Sequence, residues 1–311
     1  FLSDIWPKAR LLCYQEFFYH ARGVDLDFDP EFQGELSWED CARLRLKNAN
    51  PLLMLDAADW NVTPTAFQRS TFPSEFQPRI TAIHDGIDTA LACPDPTVSP
   101  LQLPNGVTLR SGQPIVTFVN RRIEPYRGCH TFLRAVPEIL RCHPDARVVI
   151  VGATEGVSYG KAAPGDSWRD VFLNEIADTY DPERLHFTGP IAYEAFLRLL
   201  KISACHVYLT YPFVLSWSLL EAMSTGCAVV GSATTPVEEV ITDGQDGILI
   251  DFFSPSSLAE VVKTLLYDRS LARELGTAAR KTVLDRFSLE VCVPRQLALM
   301  QLVASGALTR S

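Results

Sequence analysis

No apolar run in the 311 residues reaches the ~18 needed to cross a bilayer, so no membrane-spanning helix is expected. The eight cysteines contain no C-x-x-C spacing. That excludes the common zinc and dithiol redox motifs and fits free core thiols in a reducing cytoplasm. Cys-His occurs at Cys129-His130, Cys142-His143 and Cys205-His206, but neighbours on a strand point to opposite faces, which argues against a zinc pair. Glycine-rich phosphate loops are missing as well. No G-x-G-x-x-G follows a strand, and Gly156 to Lys161 (GVSYGK) falls one residue short of a P-loop, with Ala162 where Ser or Thr is required. Scattered Ser, His and Asp residues give no triad. Positive charge is in deficit, 28 Lys and Arg against 37 Asp and Glu, and a net charge of −9 argues against a general nucleic-acid binder. Phe1 brings neither Met nor a signal-peptide layout and reads as a truncated start. What remains is a chain long enough for two domains, with the 47% hydrophobic and 21% charged content of a globular protein.

The stretch that organises this chain runs from Cys205 to Gly226. Cys205 to Thr210 (CHVYLT) reads as a buried parallel strand, Tyr211 to Leu215 as a turn, and Ser216 onward as a helix closed by Gly226. A loop feeding a helix start aims free backbone N–H groups above the sheet, which suits a phosphate. Glu221, on the second turn, can accept two hydrogen bonds from a vicinal diol such as a ribose.

Upstream, Ala9–Gln15 reads as a strand followed by an aromatic, acidic loop. Leu36–Ala58 is a long helical pattern with Ser37 as N-cap and Asp40 three residues on, broken or kinked at Asn50-Pro51. Thr65 and Gln68 show capping-box spacing at another helix start, and Arg79–His84 is a strand turned by Asp85-Gly86. Pro94 to Pro114, with five prolines, is the linker candidate. Beyond it, strands at Ile115–Asn120, Arg147–Val151, Leu185–Gly189, Cys205–Thr210, Cys227–Gly231 and Gly247–Asp251 alternate with helices, and Leu289–Leu308 reads as a closing apolar helix. Six strands in this pattern imply a doubly wound parallel α/β sheet with ligands beyond the strands' carboxyl ends, so Asn120, Gly152, Gly189, Tyr211 and Gly231 share one rim.

The run LLEAMSTGCAVVGSATTPVEEVITDGQDGILID resembles the C-terminal half of the family-4 retaining glycosyltransferases. Glu221, Ala222, Met223, Gly226, Val229, Val230, Glu239, Val240, Asp243, Gly244 and Gly247 fall in register with that family's pattern. One position departs: Phe213 stands where the family has its first Glu, and Phe cannot accept a hydrogen bond from a sugar hydroxyl. A second match is FVNRRIEPYRG, Phe118 to Gly128, in which Arg121 and Arg127 occupy the family's two diphosphate-binding positions, with Arg in place of Lys at the second.

The resemblance implies a GT-B architecture of two facing Rossmann-like domains, the N-terminal one truncated. Residues 1–100 would form a partial acceptor-side domain and 101–287 the nucleotide-sugar domain, with 288–311 crossing back as a helix. It implies retaining transfer of a hexose from a nucleotide-diphosphate sugar to a hydroxyl acceptor on a glycan or polysaccharide, in the cytoplasm. No metal is required and no nucleic acid takes part; peripheral proximity to a membrane is left open. Arg121, Arg127 and Glu221 would be catalytic. Phe213, Val214, Leu215, Ser216, Gly189 and Ile191 would hold the donor, and Glu16 and His84 would face the acceptor. The physics agrees for the arginines, since guanidinium groups stabilise the charge a diphosphate leaving group develops. Three alternatives stay open: the arginines form a solvated surface cluster, Glu221 is a surface helix carboxylate, and Glu16 is a buried or loop-bonding one. At Phe213 two readings compete, an aromatic wall suited to a deoxyhexose and a weakened enzyme that still binds nucleotide. A purely structural interaction module, binding no nucleotide, is the third function class.

Overall fold

The computed structural model describes residues 2–32 and 36–309, so Phe1 lies outside the described residues. The chain divides into two compact units. The first comprises residues up to Gly86, Pro212–Val214 and residues from Arg286 on; the second comprises Ile87–Tyr211 and Leu215–Asp285.

The first unit is built on three parallel strands in the order β1 (Leu12–Tyr14), β2 (Trp60–Thr63), β3 (Ile80–Ala82). One hydrophobic cluster gathers Leu55, Phe72 and Ile80, with Phe18 and Phe76 against it. Another joins Ile83 to Leu299 and Val303 of the Leu289–Ala304 helix, with Leu12, Trp60 and Val62 packed against it. β2 is not expected from the sequence. Its buried positions are the polar Asn61 and Thr63, so an apolar pattern does not mark it.

The helical pattern over 36–58 resolves into two helices, Trp38–Lys47 and Ala49–Ala57. Ser37 caps the first through the expected capping box with Asp40. The break falls at Asn48, which is buried and exchanges hydrogen bonds with the backbone of Tyr19, rather than at Pro51. Pro51 sits in the first turn of the second helix, where its missing N–H would have had no partner.

The second unit holds a six-stranded parallel sheet. Its strands are β6 (Ile115–Arg122), β7 (Arg147–Ala153), β8 (Leu185–Gly189), β9 (Cys205–Tyr208), β10 (Val229–Ser232) and β11 (Ile248–Ile250). Their spatial order is β11-β10-β9-β6-β7-β8. The chain lays β6, β7 and β8 side by side in one direction, then returns to the other side of β6 with β9. The topological switch therefore lies between β6 and β9. The stretch read as a linker packs into this unit. It forms an antiparallel hairpin, β4 (Leu101–Gln102) with β5 (Thr108–Leu109), and Leu101, Leu103 and Leu109 are buried with Ile115, Val149 and Leu199. Its prolines fall outside both short strands, which is where a strand tolerates them. No described helix is long and apolar enough to cross a membrane.

Candidate donor site at the sheet switch point

A cavity of about 720 Å³ opens in the second unit at the carboxyl ends of β6 and β7, beside the switch point. Its floor is Val119 to Arg122 from β6 and Val151 to Ala153 from β7; Pro190 and Ile191 follow β8, and Ser216 to Ser218 open the helix after β9. Two features fix the close approach of the β6 and β7 tips. The register between them shifts after Val119, and Gly152 adopts a φ of +147°. A Cβ at Gly152 would stand 2.5 Å from the Asn120 carbonyl oxygen. The Asn120 side-chain Nδ2 is buried with no hydrogen-bond partner among the described residues, an orphan donor at the cavity lining.

The helix over this cavity is Trp217–Ser224, capped by Ser216, whose Oγ accepts from the Ser218 N–H at 3.4 Å. The Ser216 N–H donates to the Tyr208 hydroxyl at 2.8 Å, so this amide is already engaged. Glu221 lines the cavity yet is only 7% exposed, and burial pushes its carboxyl pKa up. A single donor opposes that shift, the Tyr193 hydroxyl at 2.7 Å from Oε1.

Arg121 is exposed and lines the same cavity as the Ser216 cap. Arg127 is 9% exposed and is set back from the lining. Its Nη1 donates to Thr210 Oγ1 at 2.8 Å, and its guanidinium lies 5.5 Å from the centroid of the Tyr159 ring. Gly128 follows it with a φ of +67°, packed so tightly that a Cβ would lie 2.4 Å from Leu209 Cβ. Glu124, 1% exposed, is a residue the sequence did not single out. Its Oε2 accepts from the backbone N–H groups of Ser158 and Tyr159 at 2.6 and 3.1 Å, and Arg122 donates to the Glu155 carbonyl in the same loop. On balance burial raises the Glu124 pKa, while those amides, Arg127 and Arg122 pull it back. The segment Arg122–Arg127 thus anchors the loop that carries GVSYGK.

The remaining expected residues fall elsewhere. Ile191 is in the lining; Gly189 ends β8 at a φ of +67°, just short of it. Leu215 is buried and is not a lining residue. Phe213 and Val214 belong to the first unit. There the Phe213 ring, 2% exposed, packs edge-on against Phe17 at 4.7 Å and lies 6.4 Å from Tyr19. Glu16 is exposed, and its backbone carbonyl accepts from Gln68. His84 is buried; its Nδ1 accepts from the Gly86 N–H, its carbonyl accepts from Gln296, and its ring meets Phe287 edge-on. Burial lowers the His84 pKa, with Asp85 opposing. Tyr193 escaped the sequence reading because nothing in spacing links it to Glu221, 28 residues later and on another helix.

With this geometry in hand, residues 103–282 match the family described as Glycosyl transferases group 1. The chain belongs to this family. Residues 1–92 match a Glycosyl transferase family 4 group in addition, and the α/β fold with parallel sheets is that of the GT-B glycosyltransferases. Among relatives of this group 1 chain, a D-inositol 3-phosphate glycosyltransferase of Corynebacterium efficiens is 26% identical over 205 residues, covering 65% of this chain and 46% of that protein. A GDP-mannose-dependent alpha-(1-6)-phosphatidylinositol monomannoside mannosyltransferase of Mycolicibacterium smegmatis is 26% identical over 227 residues, covering 71% and 56%. The chain spans about half the length of the relatives it matches. Among solved structures, a sucrose-phosphate synthase from Thermosynechococcus elongatus superposes with a TM-score of 0.72 at 19% identity, covering 97% of this chain and 70% of that one. Anabaena HepE, solved in complex with UDP and glucose, gives 0.66 at 16% identity, covering 96% and 73%.

Proposed function

We propose that this protein transfers a hexosyl group from a nucleotide-diphosphate sugar to a hydroxyl of a glycan or polysaccharide acceptor, with retention at the anomeric carbon. The observation that carries this reading is the convergence, in one cavity at the switch point, of Arg121, the capped helix start at Ser216 and the Glu221 carboxylate. These match three parts of one ligand. Glu221 accepts from the ribose hydroxyls, the helix start and Arg121 take the diphosphate, and Pro190-Ile191 lies against the base. The orphan Asn120 amide supplies a further donor to a ligand oxygen.

In the reaction the anomeric C1–O bond to the diphosphate breaks and a bond from C1 to the acceptor oxygen forms on the same face. The acceptor proton passes to the departing phosphate oxygen. Arg121 stabilises the charge growing on that oxygen, and in this reading a side chain rather than a metal neutralises it. Titration calorimetry with UDP, GDP and dTDP, followed by proton NMR of the anomeric product, tests the reading. A binding nucleotide and a product of unchanged configuration support it. If no nucleoside diphosphate binds, or if Glu221→Ala binds them as tightly as the native chain, the site is wrongly assigned.

Phe213 favours a second reading, a nucleotide-binding homologue with weakened catalysis. Its position holds no carboxylate, and its ring is buried against Phe17. Nucleotide binding without turnover over a panel of donor sugars would select that reading.

A further inference from the structure

Tyr193 begins the Tyr193–Ile202 helix, two residues after Ile191, and lines the cavity with Glu221. It is 49% exposed, and its ring lies 6.0 Å from Phe196. The hydroxyl donates to Glu221 Oε1 at 2.7 Å. Among the described residues this is the one hydrogen bond the Glu221 carboxylate makes, which leaves Oε2 without a protein partner. The two residues stand on different helices, one following β8 and one following β9, so the bond ties together two walls of the cavity.

We propose that Tyr193 is a positioning residue that presents Glu221 to the vicinal diol of a ribonucleoside diphosphate. A glutamate side chain that is free to turn must be immobilised when the ligand binds, and that ordering opposes affinity. Tyr193 imposes the order beforehand. By donating to Oε1 it fixes the plane of the carboxylate and leaves Oε2 for the ribose hydroxyls. It also favours the ionised carboxylate, whose hydrogen bonds are stronger than those of the neutral acid. The charged groups sharing the cavity, Arg121 and Arg122, approach from the β6 side, and the one ionisable group bonded to Glu221 is Tyr193 itself.

This inference rests on the nucleotide-site reading above, and the experiment separates the two. Dissociation constants would be measured by calorimetry for UDP, GDP and their 2′,3′-dideoxy analogues on the native chain, Glu221→Ala and Tyr193→Phe. Phe keeps the ring and its packing and removes only the donor. The native chain should prefer the ribose form, and Glu221→Ala should lose that preference. Tyr193→Phe should bind the ribose form about two- to tenfold more weakly, the cost of immobilising one more side chain on binding, while binding the dideoxy form as before. A loosened fold would instead weaken both forms alike. If Tyr193→Phe keeps the full preference while Glu221→Ala loses it, the role given to Tyr193 is wrong and the nucleotide site stands. If the native chain shows no preference or binds neither nucleotide, both readings fall.

Discussion

Lowering the pH should weaken the second unit through His206, with His186, whose pKa burial also lowers, acting in the same direction. His206 sits on β9, fully buried; its Nδ1 lies 3.0 Å from Thr117 Oγ1, and its Nε2 has no hydrogen-bond partner among the described residues. An imidazolium there would place an uncompensated charge in the core, and burial pushes the pKa from 6.5 down to about 3. Below pH 6.5 the unfolded chain binds a proton that the folded chain refuses, so stability falls as pH falls. The loss relative to pH 8 is about 1.4 kcal/mol at pH 5.5 and about 2.7 kcal/mol at pH 4.5, from the ratio of proton-binding polynomials. Over this range the result depends on the unfolded value and hardly on the folded one. Glu124 and Glu221, whose pKa values burial raises, act with the opposite sign, so the comparison must be with a variant that retains them. His206→Asn serves. Urea unfolding of both proteins from pH 8 to 4.5 should show the native chain's advantage over the variant shrinking by these amounts. A gap that stays constant to within about 0.3 kcal/mol would refute the reasoning, because it would mean that His206 takes up its proton in the folded state.

Further expectations concern the site and its support. Arg121→Ala should lower turnover on the order of 100-fold while changing nucleoside binding much less, since its partner charge grows during bond cleavage; steady-state kinetics beside calorimetry would show the split. Gly128→Ala should destabilise the second unit by about 2–4 kcal/mol in chemical denaturation, combining a positive φ with a Cβ forced onto Leu209 and Phe252. Turnover should be unaffected by EDTA if side chains alone carry the diphosphate charge, and a rate restored only by added Mg²⁺ would count against that assignment.

The six-stranded sheet was legible because buried parallel strands are short apolar runs, and Val148 to Val151 or Cys205 to Tyr208 offer no competing pattern. The capping residues Ser37 and Thr65 were legible for a local reason, since each bonds an amide three residues away; Ser216, read as the first helical residue, is the cap one position earlier. What could not be read depends on distant partners. Asn48 ends a helix through the backbone of Tyr19, and nothing near Asn48 announces it. β2 hides its inward face in polar residues that only the sheet's neighbours explain. At the site, Arg121, Ser216, Ile191 and Glu221 were named from the sequence and line one cavity, whereas Tyr193 and Glu124 act across loops that spacing does not measure. Phe213 was named from its place in the motif, and spacing could not show that its ring is buried beside Phe17, a contact between residues nearly two hundred positions apart.

The return of residues 286–311 to the first unit has a consequence for the order of events on the ribosome. Leu299 and Val303 complete a core begun by Leu12, Val62 and Ile83, so that core stays open until residue 303 has emerged. The intervening chain could otherwise oppose the meeting with a closure entropy on the order of 5 kcal/mol. In the finished second unit, however, Arg280 grips the carbonyls of Thr89, Ala92 and Ser224, clasping its entry and exit strands of polypeptide together. Once that clasp has formed during synthesis, the segments leading into and out of the second unit are held together, and a nascent chain halted at Asp285 should resist digestion over residues 87–285 while the residues up to Gly86 remain digestible.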